Sequence, residues 1–212
     1  VPQGADTIKS DFGGKPPFAV TRDAIYATYQ LGGPNEIRAF DLNGQPRAKP
    51  AVPPVSSVRG LTPWKNGVLF YTISYVEPAV WRFHAQTTRA TAMVQQSIVS
   101  FADCEAVREM AVSRDGTKIP VNIIRRKGLK LDGSHPLVLT GYGGFGLSQA
   151  PQFVPAYRVL VDAGFVIAVA NLRGGHEFGD DWQQQGRLTK KQNVFDDFLA
   201  AARHVVARGY TK

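Results

Sequence analysis

Pro136-Leu137-Val138-Leu139-Thr140 runs into Gly141-Tyr142-Gly143-Gly144-Phe145-Gly146, and Phe165-Val166-Ile167-Ala168-Val169-Ala170-Asn171-Leu172-Arg173 runs into Gly174-Gly175. An apolar segment of helical length, residues 156–164, separates the two runs, and residues 193–209 after them carry an apolar stripe at helical spacing. Two short, nearly all-apolar runs of this kind read as parallel strands buried on both faces. With a helix after each, they form a βαβα unit, the mark of an α/β sheet. Ligands of such sheets gather at the carboxyl ends of the strands. Both glycine breaks fall there.

Working outward, Glu109-Met110-Ala111-Val112-Ser113 and residues 118–124 flank Arg114-Asp115-Gly116-Thr117 and predict a hairpin on a tight Asp-Gly turn. Pro120 lacks an N–H for a ladder, which predicts an edge position. On the other side, Asn193 is the expected N-cap of the last helix, with Asp196 at its third position, where a carboxylate suits the positive helix end. Val194, Phe198, Ala201, Ala202, Val205 and Val206 form the stripe, Arg203 and Arg208 lie toward the negative end, and Gly209 supplies the stop.

Residues 1–108 read as all-β. Runs rich in β-branched and aromatic residues lie at 24–29, 36–40, 68–73 and 80–83, divided by Gly32-Gly33-Pro34-Asn35, Asn43-Gly44 and Glu77-Pro78. The run at Ala24 recurs at Val68 and the run ending at Phe40 recurs at Phe83. Short strands repeating every 40–50 residues or so are the pattern of a β-propeller blade, and two copies make roughly two blades. Pro50, Pro53 and Pro54 then fall in an inter-blade loop. Trp64 and Trp81, at strand positions, are expected in the packing. The domains are therefore expected to be 1–108, the blades, and 109–212, the α/β sheet.

Composition narrows the classes. A chain of 212 residues with 43% hydrophobic and 20% charged residues is ordinary for a globular protein. No apolar run approaches the roughly 18–20 residues of a membrane span. The single Cys104 excludes an internal disulfide framework, and neither a metal site nor a cofactor site is indicated by any spacing. The net charge is +8, and its tightest cluster, Arg125, Arg126, Lys127 and Lys130, reads as a solvated strand end. A nucleic-acid surface would need more cations and stacked aromatics, so nucleic acid is not an expected partner. The compartment, cytoplasmic or periplasmic, is left open.

Candidate chemistry is sparse. Gly146-Leu147-Ser148-Gln149-Ala150 is the sole approach to a G-x-S-x-G nucleophile turn, but it does not directly follow its strand and Pro151 follows it. His84, His135, His176 and His204 build no triad with it. Asp180, Asp181, Asp196 and Asp197 are expected to solvate a loop and a helix start. Tyr142 remains. In α/β hydrolases the loop after this early strand supplies an oxyanion-hole donor, and a phenol O–H on a glycine-rich loop suits that role. From the loop alone, Tyr142 is either such a donor or a tyrosine that merely packs.

These residues resemble the prolyl oligopeptidase family of serine peptidases. The resemblance is carried by Gly141-Tyr142-Gly143-Gly144-Phe145, by Ala170-Asn171-Leu172-Arg173-Gly174-Gly175, and by Glu177-Phe178-Gly179 with Trp182. It continues through residues 191–198 to Gly209-Tyr210-Thr211. It implies an α/β-hydrolase domain, here the N-terminal half of its sheet, preceded by all-β blades of a β-propeller. It also implies short proline-containing peptides as substrates. Tyr142 corresponds to the tyrosine of the oxyanion hole and Phe145 to the phenylalanine lining the pocket for the substrate proline. The family's nucleophile, aspartate and histidine would follow Lys212, so the chain alone is expected to be inactive. A chain with unpaired sheet edges is also expected to self-associate. The alternative is a non-catalytic propeller and α/β binding module.

Overall fold

The computed structural model describes residues 7, 8 and 16–212. Two compact units divide the chain, one reaching to Gln96 and including Ala150–Phe153, the other made of Ser97–Gln149 and Val154–Lys212.

In the first unit, β1 (Phe18–Val20), β2 (Ile25–Gln30), β3 (Asn35–Phe40) and β4 (Pro46–Arg47) form one four-stranded antiparallel meander. A second meander follows with β5 (Ser56–Trp64), β6 (Gly67–Ser74), β7 (Val80–His84) and β8 (Thr88–Val94). Four-stranded antiparallel sheets are the form a propeller blade takes. The repeat in the sequence has a structural counterpart: β2 and β6 are each the second strand, and β3 and β7 each the third. The prolines at 50, 53 and 54 lie between β4 and β5, where one sheet gives way to the next. Alternation does the packing. Ile37 of β3, Val58 of β5, and Val68 and Phe70 of β6 are all essentially inaccessible and share one cluster. Trp64 corrects its expectation, since it is 54% exposed at the end of β5 beside the turn into β6. Trp81 does pack, its ring 5.1 Å from that of Tyr71.

The second unit holds β9 (Cys104–Val112), β10 (Lys118–Arg126), β11 (Leu137–Gly141), α1 (Tyr157–Asp162), β12 (Val166–Ala170), α2 (Asp180–Gln184) and α3 (Gln192–Ala207). The sheet order is β11-β12-β10-β9, with β11 and β12 parallel and the other pairs antiparallel. This is the expected parallel pair beside an antiparallel hairpin. The change of pattern read near residue 108 lies inside β9, which begins at Cys104.

Burial explains why these runs are strands. Ile119, Val121 and Ile123 of β10 and Val166, Ala168 and Ala170 of β12 share a core with Val194, Ala201 and Val205 of α3. Alternate residues, Ile124 and Ile167, point to the other face and are equally inaccessible. Each buried valine or isoleucine here contributes about 1.5–3 kcal/mol.

Several expectations shift by short distances. Pro120 sits in an inner strand rather than at an edge. Its carbonyl accepts from Asn171 N–H at 2.9 Å, just past the last β10–β12 ladder pair, Val121 with Ala170. In an antiparallel strand the nitrogen faces the same way as the carbonyl, so the missing donor points where the ladder has already ended. Asn193 is not the cap of α3; Lys191 precedes the helix, and the Asn193 side chain donates to the Gln185 carbonyl at 2.8 Å. Val206 is exposed and the buried stripe is Val194, Asp197, Ala200, Ala201 and Val205. The basic cluster is largely engaged: Arg125 pairs with Glu105, Arg126 with Asp103 and Asp162, and Lys127 donates to the Ala102 carbonyl.

Candidate active site

Because β11 and β12 are parallel neighbours in register from Leu137–Val166 to Gly141–Ala170, their carboxyl ends open on the same edge of the sheet. The β9–β10 turn reaches that edge too, since β10 begins there. Two glycine loops meet at it, main chain on main chain. A Cβ on Gly143 would lie 2.4 Å from Val194 Cγ1 and 2.9 Å from the Arg173 carbonyl oxygen. A Cβ on Gly174 would lie 2.6 Å from the Gly143 carbonyl oxygen. Both glycines also have positive φ, +60° and +89°. Only residues without side chains permit this approach.

The first loop carries the two residues singled out in the sequence. Tyr142 is 46% exposed. Phe145 is 87% exposed and has φ +51°. Leu147 N–H donates to the Gly144 carbonyl at 3.0 Å, so residues 144–147 form a tight turn whose two central residues, Phe145 and Gly146, have positive φ. A turn of that hand favours glycine, asparagine or aspartate, and a phenylalanine held there costs about 1–2 kcal/mol. Gly146 N–H donates to the Gly174 carbonyl at 3.0 Å and the Lys191 ammonium donates to the Gly143 carbonyl at 2.7 Å.

The second loop is fixed from behind by groups not identified in the sequence. Arg173 and Asp197 are both inaccessible to solvent and paired. Ser113 Oγ donates to Asp197 Oδ1 at 2.6 Å, and Arg173 also reaches Asp115. Hydrogen bonding from Arg173 holds the Asp115 carboxyl down at about 2. Asp197 therefore does not solvate a helix start as expected. It falls three residues after Val194 and four before Ala201, in phase with the buried face of α3, and that phase is the signal that would have found it. Glu177, 1% exposed, is likewise interior, and burial raises its carboxyl above the ordinary range.

The histidines are dispersed. His84 lies in the first unit beside Thr88, while His204 bonds Glu109 and His176 bonds Asp180. Among the described residues, no group of three His, Cys, Asp or Glu could hold a metal ion.

The sequence pattern of the Prolyl oligopeptidase family matches residues 151–212. A prolyl endopeptidase of Elizabethkingia meningoseptica is 34% identical over 191 residues, 88% of this chain. The chain belongs to the prolyl oligopeptidase family. A dual-function macrocyclase-peptidase of Amanita bisporigera is 43% identical over 109 residues, 51% of the chain. In three dimensions, all of this chain superposes on a solved prolyl endopeptidase with TM-score 0.85 and 32% identity. It also superposes on prolyl oligopeptidase B from Galerina marginata, bound to a 25mer macrocyclization substrate, with TM-score 0.86 and 26% identity. The chain spans 27% of the length of the Elizabethkingia meningoseptica relative and 31% of the solved endopeptidase. The segment matching the family pattern contains Asn171, Glu177 and Lys191, which bond the main chain of the first glycine loop, and the Arg173–Asp197 pair at the start of the second.

Proposed function

We propose that the chain is part of a serine peptidase that cleaves short peptides after proline through an acyl-enzyme. In this reading the two meanders are blades of a propeller, roughly its last two, and residues from 109 onward are the first half of an α/β-hydrolase sheet. Tyr142 O–H donates to the oxyanion as charge develops on the scissile carbonyl. Phe145 lines the pocket that takes the proline ring. The observation that supports this best is the turn at residues 144–147, which holds a bulky aromatic in a left-handed conformation and turns it to solvent at a strand's carboxyl end. Strain of this kind clusters at functional sites. The loop that carries Tyr142 is anchored by Lys191 on the Gly143 carbonyl and by Gly146 N–H on the Gly174 carbonyl, which supports a preorganised donor of the kind that stabilises an oxyanion.

The test uses the full-length enzyme on a proline-containing chromogenic peptide. Tyr142→Phe is expected to lower kcat by about 10²–10³ with little change in KM. Unchanged kcat would remove Tyr142 from the chemistry. The 212-residue chain alone is expected not to react stoichiometrically with a fluorophosphonate, and labelling would show that it holds its own nucleophile.

A further inference from the structure

The glycine loop bearing Tyr142 is held near its start by Lys191 on the Gly143 carbonyl and in its middle by Gly146 on Gly174. Its far end, at Gln149, is held differently. Asn171 Nδ2 donates to the Gln149 carbonyl at 2.7 Å, and Gln149 N–H donates to Glu177 Oε1 at 2.9 Å. The same Oε1 accepts from Asn171 Nδ2 at 3.2 Å, and Asn171 Oδ1 accepts from Asn122 Nδ2 at 2.8 Å. Both main-chain polar groups of one loop residue are thus read by two interior side chains, Asn171 at 0% and Glu177 at 1% exposure. Glu177 Oε2 is buried with no hydrogen-bond partner among the described residues. The carboxyl is accommodated only because residue 175 is glycine: a Cβ there would lie 2.0 Å from Oε2 and 2.9 Å from the Leu147 carbonyl oxygen.

A carboxyl buried in this way is an expensive means of building a loop, and neither the oxyanion donor nor the proline pocket requires it. We propose that Asn171 and Glu177 are positioning residues that grip the main chain of Gln149 and so fix the far end of the loop carrying Tyr142 and Phe145. The proposal rests on the reading of Tyr142 and Phe145 as substrate-facing groups. Burial raises the Glu177 carboxyl above its ordinary range.

Glu177→Gln keeps the acceptor for Gln149 N–H and places an amide N–H where Oε2 stands, whereas Glu177→Ala removes both. In the full-length enzyme, Glu177→Ala and Asn171→Ala are expected to lower kcat/KM about tenfold or more. Amide exchange at residues 146–149 should quicken about tenfold, with the protection of β10 and β12 unchanged. Glu177→Gln should restore both within about twofold. If an alanine variant does not fold, Gln149→Pro removes the gripped N–H from the loop side and should give the same local loss. Wild-type exchange and kcat/KM in Glu177→Ala would overturn the proposal, as would a Glu177→Gln enzyme as impaired as the alanine variant. If the wild-type enzyme cleaves no proline peptide, the functional reading fails by itself, and the exchange measurement still decides the grip.

Discussion

Arg173 Nε lies 2.9 Å from Asp197 Oδ2 while Nη2 lies 2.6 Å from Oδ1, a two-pronged pair with both side chains cut off from solvent. Asp197 also accepts from the Arg173 main-chain N–H at 3.1 Å, so one carboxylate fixes both the side chain and the backbone at the start of the second glycine loop. Breaking such a pair from one side leaves an interior charge uncompensated. Asp197→Ala is expected to cost about 3–5 kcal/mol in urea unfolding of this chain. Replacing Arg173 and Asp197 together by apolar residues of similar volume should cost clearly less.

Gly143 faces Val194 on one side and the Arg173 carbonyl on the other. Gly143→Ala must both adopt a left-handed backbone and push α3 away from the loop. A loss of about 2 kcal/mol or more is expected. Gly44, also at positive φ but with open space around it, should lose less on the same substitution, and comparing the two unfolding midpoints separates crowding from backbone strain.

Phe145 predicts the opposite sign. Asparagine tolerates the left-handed region, and the ring makes little contact with the folded chain. Phe145→Asn should therefore raise stability by about 1 kcal/mol at unchanged denaturant slope. In the full-length enzyme the same change should raise KM for a proline peptide about tenfold. A variant that gained stability and kept its KM would remove Phe145 from the pocket.

Two carboxyls give pH dependences of opposite direction. Glu177 is raised by burial from its ordinary 4.5, so its contribution is complete below that value and is lost as pH climbs toward its folded value. Asp115 is held at about 2 by Arg173 against an ordinary 3.8, so its contribution is complete above about 4 and is lost as pH falls toward 2. Unfolding measured across pH should show Glu177→Gln flattening the decline on the alkaline side. Asp115→Asn should flatten the acid side. Neither should affect the other's window.

The parallel strands and both glycine loops are legible in the sequence because their signals are local. Apolar runs of five residues ending in glycines need no knowledge of partners. Meander strands are legible for the same reason, through turn residues and a repeat. The floor of the site is not. Asp197 looks like a helix-start acid until Arg173, twenty-four residues earlier, is known to lie beneath it. Pro120 looks like an edge residue until the register shows that β12 ends one pair short of it. Glu177 follows two glycines and a histidine, and nothing in that neighbourhood announces that it turns inward. Pairings across the sheet leave no periodicity to read.

The contact of Gly143 with Gly174 leaves the separation between the two loops to be set by bare peptide units. No rotamer can widen or narrow it. On the proposed reading, variation in what the site accepts would come from the side chains that project away from the seam, at positions 142 and 145. If that reading holds, an engineer altering specificity would work at those two places and leave alone the four glycines around them.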